Sequence, residues 1–410
     1  MKNRHKKKNI LFVTYGAGHV NMIIPIWKSL KKGNQYKLTL LGLTNAGKVL
    51  QESDISYYGF KDFMKETDAA ALDWGKKLAA DVDSSIVPYE ESIAYLGLSY
   101  FEMVERLGED EAASQYTKLG RQAFLPLTVM NRILDNLKPD LVVATSSPRA
   151  ERAAIISAGK LNIPSLCLVD LFGLLEITWV GQPGYANKVC VMSDYVKEIL
   201  MGAGRSPDEV EVTGNPGFDR LASPKLAQQA KVLRKKRGWH NKTVILWASQ
   251  AEPPIHPVTG ERGDPDLPRK IERELFDLIE QNKDWHLVVR RHPSDNAPIS
   301  DKIDRVDISP QSEDLATLLK AVNIVVTIAS TVGLEGALLG KPFLTMDMSL
   351  FSQDAPFAKM GLSKGISNLQ DLGRGIKEII NGQWRSTVTL PPVGQATDKV
   401  IQVIDHLLQE

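Results

Sequence analysis

Asn323-Ile-Val-Val-Thr-Ile-Ala-Ser330-Thr331-Val-Gly333-Leu-Glu335-Gly-Ala-Leu-Leu-Gly340-Lys-Pro342-Phe-Leu-Thr-Met346 is the stretch on which the fold of this chain turns. Asn323 to Ile328 is a short, β-branched apolar run, the pattern of a strand covered on both faces. Ser330, Thr331 and Gly333 then place two hydroxyls and a permissive backbone where a helix begins. Such a place binds anions, because free N–H groups and the positive end of the helix dipole face the ligand. Gly340 and Pro342 close the helix, and a second strand follows. The simplest role for Ser330 or Thr331 is to cap the helix. Glu335 fits a capping box poorly, because the carboxylate should lie three residues after the cap. A carboxylate one turn into such a helix can instead accept both hydroxyls of a ribose.

Working outward, 410 residues exceed one comfortable core, so two domains are expected. With 43% apolar residues, 24% charged and a net charge of +1, the composition is that of an ordinary soluble globular protein. Near-neutral charge argues against a dedicated nucleic-acid binder. The one marked basic cluster, Lys2 to Lys8, reads as a solvated tail that could at most touch anionic lipid. Cys167 and Cys190 sit inside apolar strand-like runs and read as buried free thiols in a reducing compartment; their spacing matches no zinc pattern. The apolar run Ile10–Val13 is too short for a signal-peptide core. No run approaches the roughly 18 apolar residues of a spanning helix. The expectation is a cytoplasmic protein, at most peripheral at the inner face of a membrane.

Asn9–Thr14 reads as a first strand, Tyr15 to Val20 as a glycine-rich turn, and Ile23, Ile26, Trp27 and Leu30 as one face of a helix. Lys37–Leu43 is the next strand. Glycines in the loop of a β-loop-α-β opening predict a Rossmann-like unit, although the full dinucleotide fingerprint is missing. Residues 45–136 carry helical patterns elaborating this domain. Strands resume at Asp140–Thr145, Pro164–Val169, Lys188–Met192 and Glu209–Thr213, an alternation that predicts a parallel sheet with ligands at its C-terminal strand ends. Two groups lie at such ends: Asp170, which fits a catalytic carboxylate, a helix cap or a salt bridge, and Ser146-Ser147-Pro148-Arg149, which opens a helix and fits a simple cap or a contact with polar substrate. Asp81-Val-Asp83 and Asp264-Pro-Asp266 follow no buried strand, so neither reads as a metal site. The turn cluster Gly214-Asn215-Pro216-Gly-Phe-Asp219 marks the handover to a second domain.

That second domain is predicted to hold five strands: Thr243–Ala248, His286–Arg290, Arg305–Ile308, Asn323–Ile328 and Phe343–Met346. The first ends in Ser249-Gln250 and enters a long polar loop, Ala251–Pro268, which reads as a lid. The second ends in Arg290-Arg291-His292-Pro293. Residues 365–383 read as the last helix of the domain, and Thr397–Leu408 as a final one. The domains are thus 1–220, 221–388 and a C-terminal helical segment, 389–410.

Several of these segments carry a resemblance. The Ser330–Pro342 stretch resembles the donor-nucleotide motif of GT-B glycosyltransferases and of the related UDP-N-acetylglucosamine 2-epimerases, and is most similar to the capsule-synthesis and sialyl- or polysialyltransferase branches. His292-Pro293 resembles the His-Pro motif of the same transferases. Gly18-His19-Val20-Asn21 resembles the N-terminal loop of UDP-glycosyltransferases, except that the family's proline three residues on is Met22 and a proline appears at Pro25. The Gly214–Asp219 segment is similar to one in the epimerases and several capsule enzymes.

The resemblance implies two Rossmann-like α/β domains facing each other across a cleft, with the C-terminal helix crossing back onto the first. It implies that His19 or Asp170 acts on the acceptor and that His292 stabilises the leaving phosphate. Gly18, Ser249, Gln250, Arg290, Arg291, His292, Pro293, Ser330, Thr331, Gly333 and Glu335 would then bind the nucleotide sugar. No metal and no separate cofactor are expected. The implied function is a glycosyltransferase moving a sugar from a UDP- or CMP-linked donor to a surface glycan, lipid-linked or small-molecule acceptor. A 2-epimerase is the alternative, weighed against by Val169-Asp170-Leu-Phe-Gly173 where those epimerases carry His-x-Glu-Ala-Gly. A non-catalytic sugar-nucleotide-binding regulator is the third.

Overall fold

A computed structural model of the chain describes residues 7–256, 259–292, 295 and 304–409. The chain divides into two compact units, one of residues 1–219 with 394–410, the other of residues 220–393.

Unit 1 is built on a parallel sheet of six strands: β1 (Asn9–Tyr15), β2 (Lys37–Leu43), β3 (Leu141–Thr145), β4 (Ser165–Leu168), β5 (Lys188–Val191) and β6 (Val210–Val212). Their spatial order is β2-β1-β3-β4-β5-β6. These strands are apolar because helices cover both faces, so side chains of both orientations are buried; Ile10 to Val13 are fully enclosed. The Ile23, Ile26 and Leu30 face of helix Ala17–Gly33 packs on Phe12 and Leu40, and Val400, Ile404 and Leu407 of helix Ala396–Leu407 join the same core. Tyr36 Oη donates to Asp405 Oδ1 at 2.7 Å, so the last helix does cross back onto the first domain. Asp219 fixes its start, accepting from the amides of Gly394, Ala396 and Thr397 and from the Thr397 hydroxyl at 2.6–3.2 Å. Five α-helices lie between β2 and β3, in the segment without strand patterning.

Unit 2 repeats the plan with β7 (Thr243–Ala248), β8 (Trp285–Arg290), β9 (Val306–Ile308), β10 (Ile324–Thr327), β11 (Phe343–Met346) and β12 (Lys364–Ile366), all parallel, in the order β12-β11-β10-β7-β8-β9. The sequence predicts five strands here, and the sixth corrects the helix expected from residue 365. Lys364–Ile366 pairs with Leu344–Met346, and the helix occupies only Leu372–Ile380. A three-residue strand is too short to show a period, so sequence patterning merges it with the helix that follows.

Both sheets therefore have the doubly wound form. In unit 1 the chain leaves β1 toward β2 and returns on the other side at β3; in unit 2 it leaves β7 toward β8 and returns at β10. A crevice opens beyond the C-terminal strand ends at each reversal. His19 and Ser146–Arg149 flank the first reversal; Ser249-Gln250 and Ser330 flank the second. Among the described residues no helix is long and apolar enough to cross a membrane. Cys167 and Cys190 are buried free thiols.

Candidate functional site

The strand-end residues of unit 2 are held together by backbone geometry. The Ser249 amide donates to the Arg290 carbonyl at 2.9 Å, tying the ends of β7 and β8. Gln250 Oε1 accepts from the Ala329 amide at 3.3 Å, across the reversal between β7 and β10. Ser330 is the N-cap of helix Thr331–Leu338, and its hydroxyl accepts from the Val332 amide at 3.2 Å. The simpler capping role is therefore filled, and the exposed Thr331 is the hydroxyl left facing outward. Glu335 is buried and ion-paired with Arg220, a residue that carried no sequence signal. Burial pushes the Glu335 carboxyl up, while Arg220 and Arg290 oppose the shift.

Gly333 serves packing. A Cβ there would stand 2.7 Å from the Phe343 ring and 3.1 Å from Thr327 Cγ2, so glycine lets the helix lie against β10 and β11. The two arginines expected at the phosphate are committed elsewhere. Arg290 donates to Ser309 Oγ at 2.9 Å and to the carbonyls of Pro310, Gln311 and Glu313 at 3.0–3.3 Å, which fixes the loop after β9. Arg291 donates to Glu272 Oε1 at 2.5 Å, and both side chains are almost fully buried. His292 is exposed just beyond the end of β8. Pro293 lies outside the described residues.

The long loop after β7 is not a free lid. Glu252 is buried and accepts from Ser349 Oγ at 2.6 Å and from the Leu350 amide at 2.9 Å. His256 Nε2 pairs with Asp354 Oδ2 at 2.9 Å, and Ile255 forms a bridge to Arg262. Composition marked this segment as a loop but could not show that two buried polar side chains anchor it.

In unit 1, Gly16 adopts φ of 61° at the N-cap of helix Ala17–Gly33, a conformation glycine takes without strain. This sharp turn places Gly18 and His19 in the first helical turn, beyond β1. His19 Nδ1 is buried and has no hydrogen-bond partner among the described residues. Asp170, at the end of β4, accepts from Asn215 Nδ2 at 3.4 Å, and its Oδ2 lies 3.6 Å from where a Gly18 Cβ would be. Burial raises the Asp170 carboxyl; His19, the Leu171 amide and Asn215 counter part of that rise. The structure thus draws Gly18, His19, Asp170 and Asn215 into one site.

Two further residues join it: Arg149, from the Ser146–Arg149 strand-end segment, and Glu151, which sequence patterning passed over. Arg149 stacks on the Tyr15 ring, 3.8 Å from its centroid. Glu151 is fully enclosed; its Oε1 accepts from Thr145 Oγ1 at 3.4 Å and its Oε2 has no partner among the described residues. Burial raises its carboxyl, with His19 the strongest opposing influence. An acidic residue in the first turn of a helix after a central strand was the available signal, although caps commonly share that pattern. In the two Asp-x-Asp segments, Asp83 accepts from the Ser85 amide and Asp264 pairs with Lys270. No group of three His, Cys, Asp or Glu with metal-holding geometry occurs among the described residues.

Residues 267–356 match the model of the capsule polysaccharide biosynthesis protein family. No curated protein matches the sequence. Among solved structures, a putative UDP-N-acetylglucosamine 2-epimerase from Listeria monocytogenes superposes with a TM-score of 0.62 at 16% identity, over 99% of this chain and 98% of that one. The UDP-GlcNAc 2-epimerase from Neisseria meningitidis, bound to UDP-GlcNAc, gives 0.59 at 16% identity, over 97% and 100%. A glycosyltransferase from Rickettsia africae gives 0.55 at 12% identity, over 99% and 100%. The shared feature at these identities is architecture: the chain has the two-domain Rossmann-like fold common to the GT-B glycosyltransferases and the UDP-N-acetylglucosamine 2-epimerases.

Proposed function

We propose that this chain is a metal-independent glycosyltransferase of glycan biosynthesis, using a nucleotide-activated sugar. The observation that carries the proposal is the capsule-biosynthesis match over residues 267–356, which spans Arg290–His292 and Ser330–Glu335 together. In this scheme the acceptor hydroxyl gives its proton to the imidazole of His19, and its oxygen attacks the anomeric carbon. The bond from that carbon to the phosphate oxygen breaks, and the nucleotide leaves with the electron pair. Asp170, held by Asn215, orients the acceptor. The amide end of helix Thr331–Leu338, the Thr331 hydroxyl and His292 receive the developing phosphate charge. Glu335, steadied by Arg220, takes the ribose hydroxyls.

A second activity, 2-epimerisation of UDP-N-acetylglucosamine, is favoured by the end-to-end likeness to several epimerase structures. A thermal-shift panel of UDP, CMP, CDP and GDP comes first, since a ligand at about 100 times its Kd adds about 2.7 kcal/mol of stability. The donor identified is then incubated with and without glycan acceptors. Transfer that falls by about 10²–10⁴ in His19→Ala, with the nucleotide shift retained, supports the transferase. Clean epimerisation without acceptor supports the second activity, and a panel in which no nucleotide stabilises the chain defeats both.

A further inference from the structure

The helix Thr331–Leu338 borders two different regions of unit 2. Its N-terminus belongs to the candidate nucleotide site, but its C-terminus runs into Gly340-Lys341-Pro342 at the opposite edge of the same sheet, ahead of β11. There the surface opens into a cavity of about 570 Å³, within the range of small-molecule sites. Leu338 and Pro342 form part of one wall, and Trp384, Leu390 and Pro391 part of another. The second wall belongs to residues 384–392, held in place where the Ser386 hydroxyl and the Thr387 amide both donate to the Gly361 carbonyl at 3.0 Å.

Lys341 and Arg385 line this apolar space, and no carboxylate does. Neither cation has a salt bridge or a side-chain hydrogen bond among the described residues. The helix end does not need the lysine ammonium either. The amides of Leu339, Gly340 and Lys341 already return to the carbonyls of Glu335, Ala337 and Gly336 at 2.8–3.1 Å. The charged groups that bear on Lys341 are Lys320 and Arg234, both positive, and burial with these neighbours lowers its ammonium to about 8. A half-buried cation with two positive neighbours is costly unless an anion joins it, and Arg385 stands exposed at the rim of the same cavity. The walls beside it are largely apolar, with the Ser386 and Thr389 hydroxyls also among the lining.

We propose that this cavity binds a small amphiphilic anion, an acidic head group on an apolar chain, with the head between Lys341 and Arg385 and the chain along Trp384, Leu338 and Pro391. The site is independent of the nucleotide assignment, since it lies at the other edge of the sheet and shares no residue with it.

Calorimetric titration of the full chain with dodecyl phosphate below its micellar concentration tests this. Saturable binding of one molecule per chain is expected. Lys341→Met and Arg385→Gln should each weaken it by about tenfold or more, the loss of a hydrogen bond to a charged group. Inorganic phosphate, which has the head alone, and dodecyl maltoside, which has the chain without charge, should both bind at least as weakly as the variants. Unchanged melting and unchanged nucleotide response in either variant show that it is folded. The proposal is overturned if dodecyl phosphate does not saturate, if both folded variants bind it like the parent chain, if the neutral detergent binds as well, or if only anionic vesicles are bound. A chain that binds dodecyl phosphate but no nucleotide would refute the transferase and epimerase assignments while leaving this one standing.

Discussion

The two sheet edges differ in how they treat their charged side chains, although each also buries a hydroxyl without a partner among the described residues, Ser147 at the first and Ser249 at the second. Beyond the first sheet, Thr14, Ser147, His19 and Glu151 bury polar atoms without partners among the described residues. Beyond the second, the charged side chains have spent themselves on the protein: Arg290 on the loop after β9, Arg291 on Glu272, and Glu335 on Arg220. An unpaired buried polar atom costs about 1–3 kcal/mol, so several at one edge mark a place that a substrate or ordered water completes. At the second edge the charged groups named are paired within the protein, which leaves mainly backbone amides and hydroxyls, the equipment of a preformed anion cradle. One edge keeps reactive groups desolvated and the other keeps its shape.

The sharpest way to break this contrast is to unpair the second edge. Glu272→Leu strips the buried Arg291 of its carboxylate and should destabilise unit 2 by about 3–5 kcal/mol in denaturant unfolding. A loss below about 1 kcal/mol would show that Glu272, which also pairs with Arg269, does not hold this edge together.

The pH dependence of unit 1 should run against the usual direction for carboxylates. Glu91, buried under the turn Phe60–Phe63, accepts from the amides of Phe60 and Lys61, yet burial still lifts its carboxyl from 4.5 to about 7. A raised carboxyl means the folded state holds its proton longer than the unfolded one. Its stability contribution is therefore whole below pH 4.5, declines as the pH rises to 7, and is level above. The decline should be on the order of 3 kcal/mol. Hydrogen exchange of the 60–63 amides across that window reads it locally, and protection that increases with pH would contradict the assignment.

The smallest effect separates scaffold from ligand at the second edge. Ser330→Ala removes a helix cap and should cost about 1 kcal/mol. Because the Ser330 hydroxyl is occupied by Val332, nucleotide affinity, measured by titration against a folded control, should drop less than in Thr331→Ala. The reverse order would mean that Ser330 turns from cap to ligand on binding.

Strand content and order of elements were legible in the chain because each sheet is covered on both faces, leaving uninterrupted apolar runs bounded by glycine, proline and hydroxyl residues. Those runs define β7 and β11 to the residue, and they put His19, Asp170, Ser249 and Ser330 at strand ends. The partners were another matter. That Arg290 would be consumed by four groups within residues 309–313, that Glu335 would find Arg220 across 115 positions, and that Glu252 and His256 would nail down the loop after β7 depend on which surfaces the crossovers bring together. Periodicity is local and reports which face of an element is buried. Ion pairs and hydrogen bonds form between elements distant in sequence, so whether a charged side chain is free for a ligand is decided only when the sheet is wound.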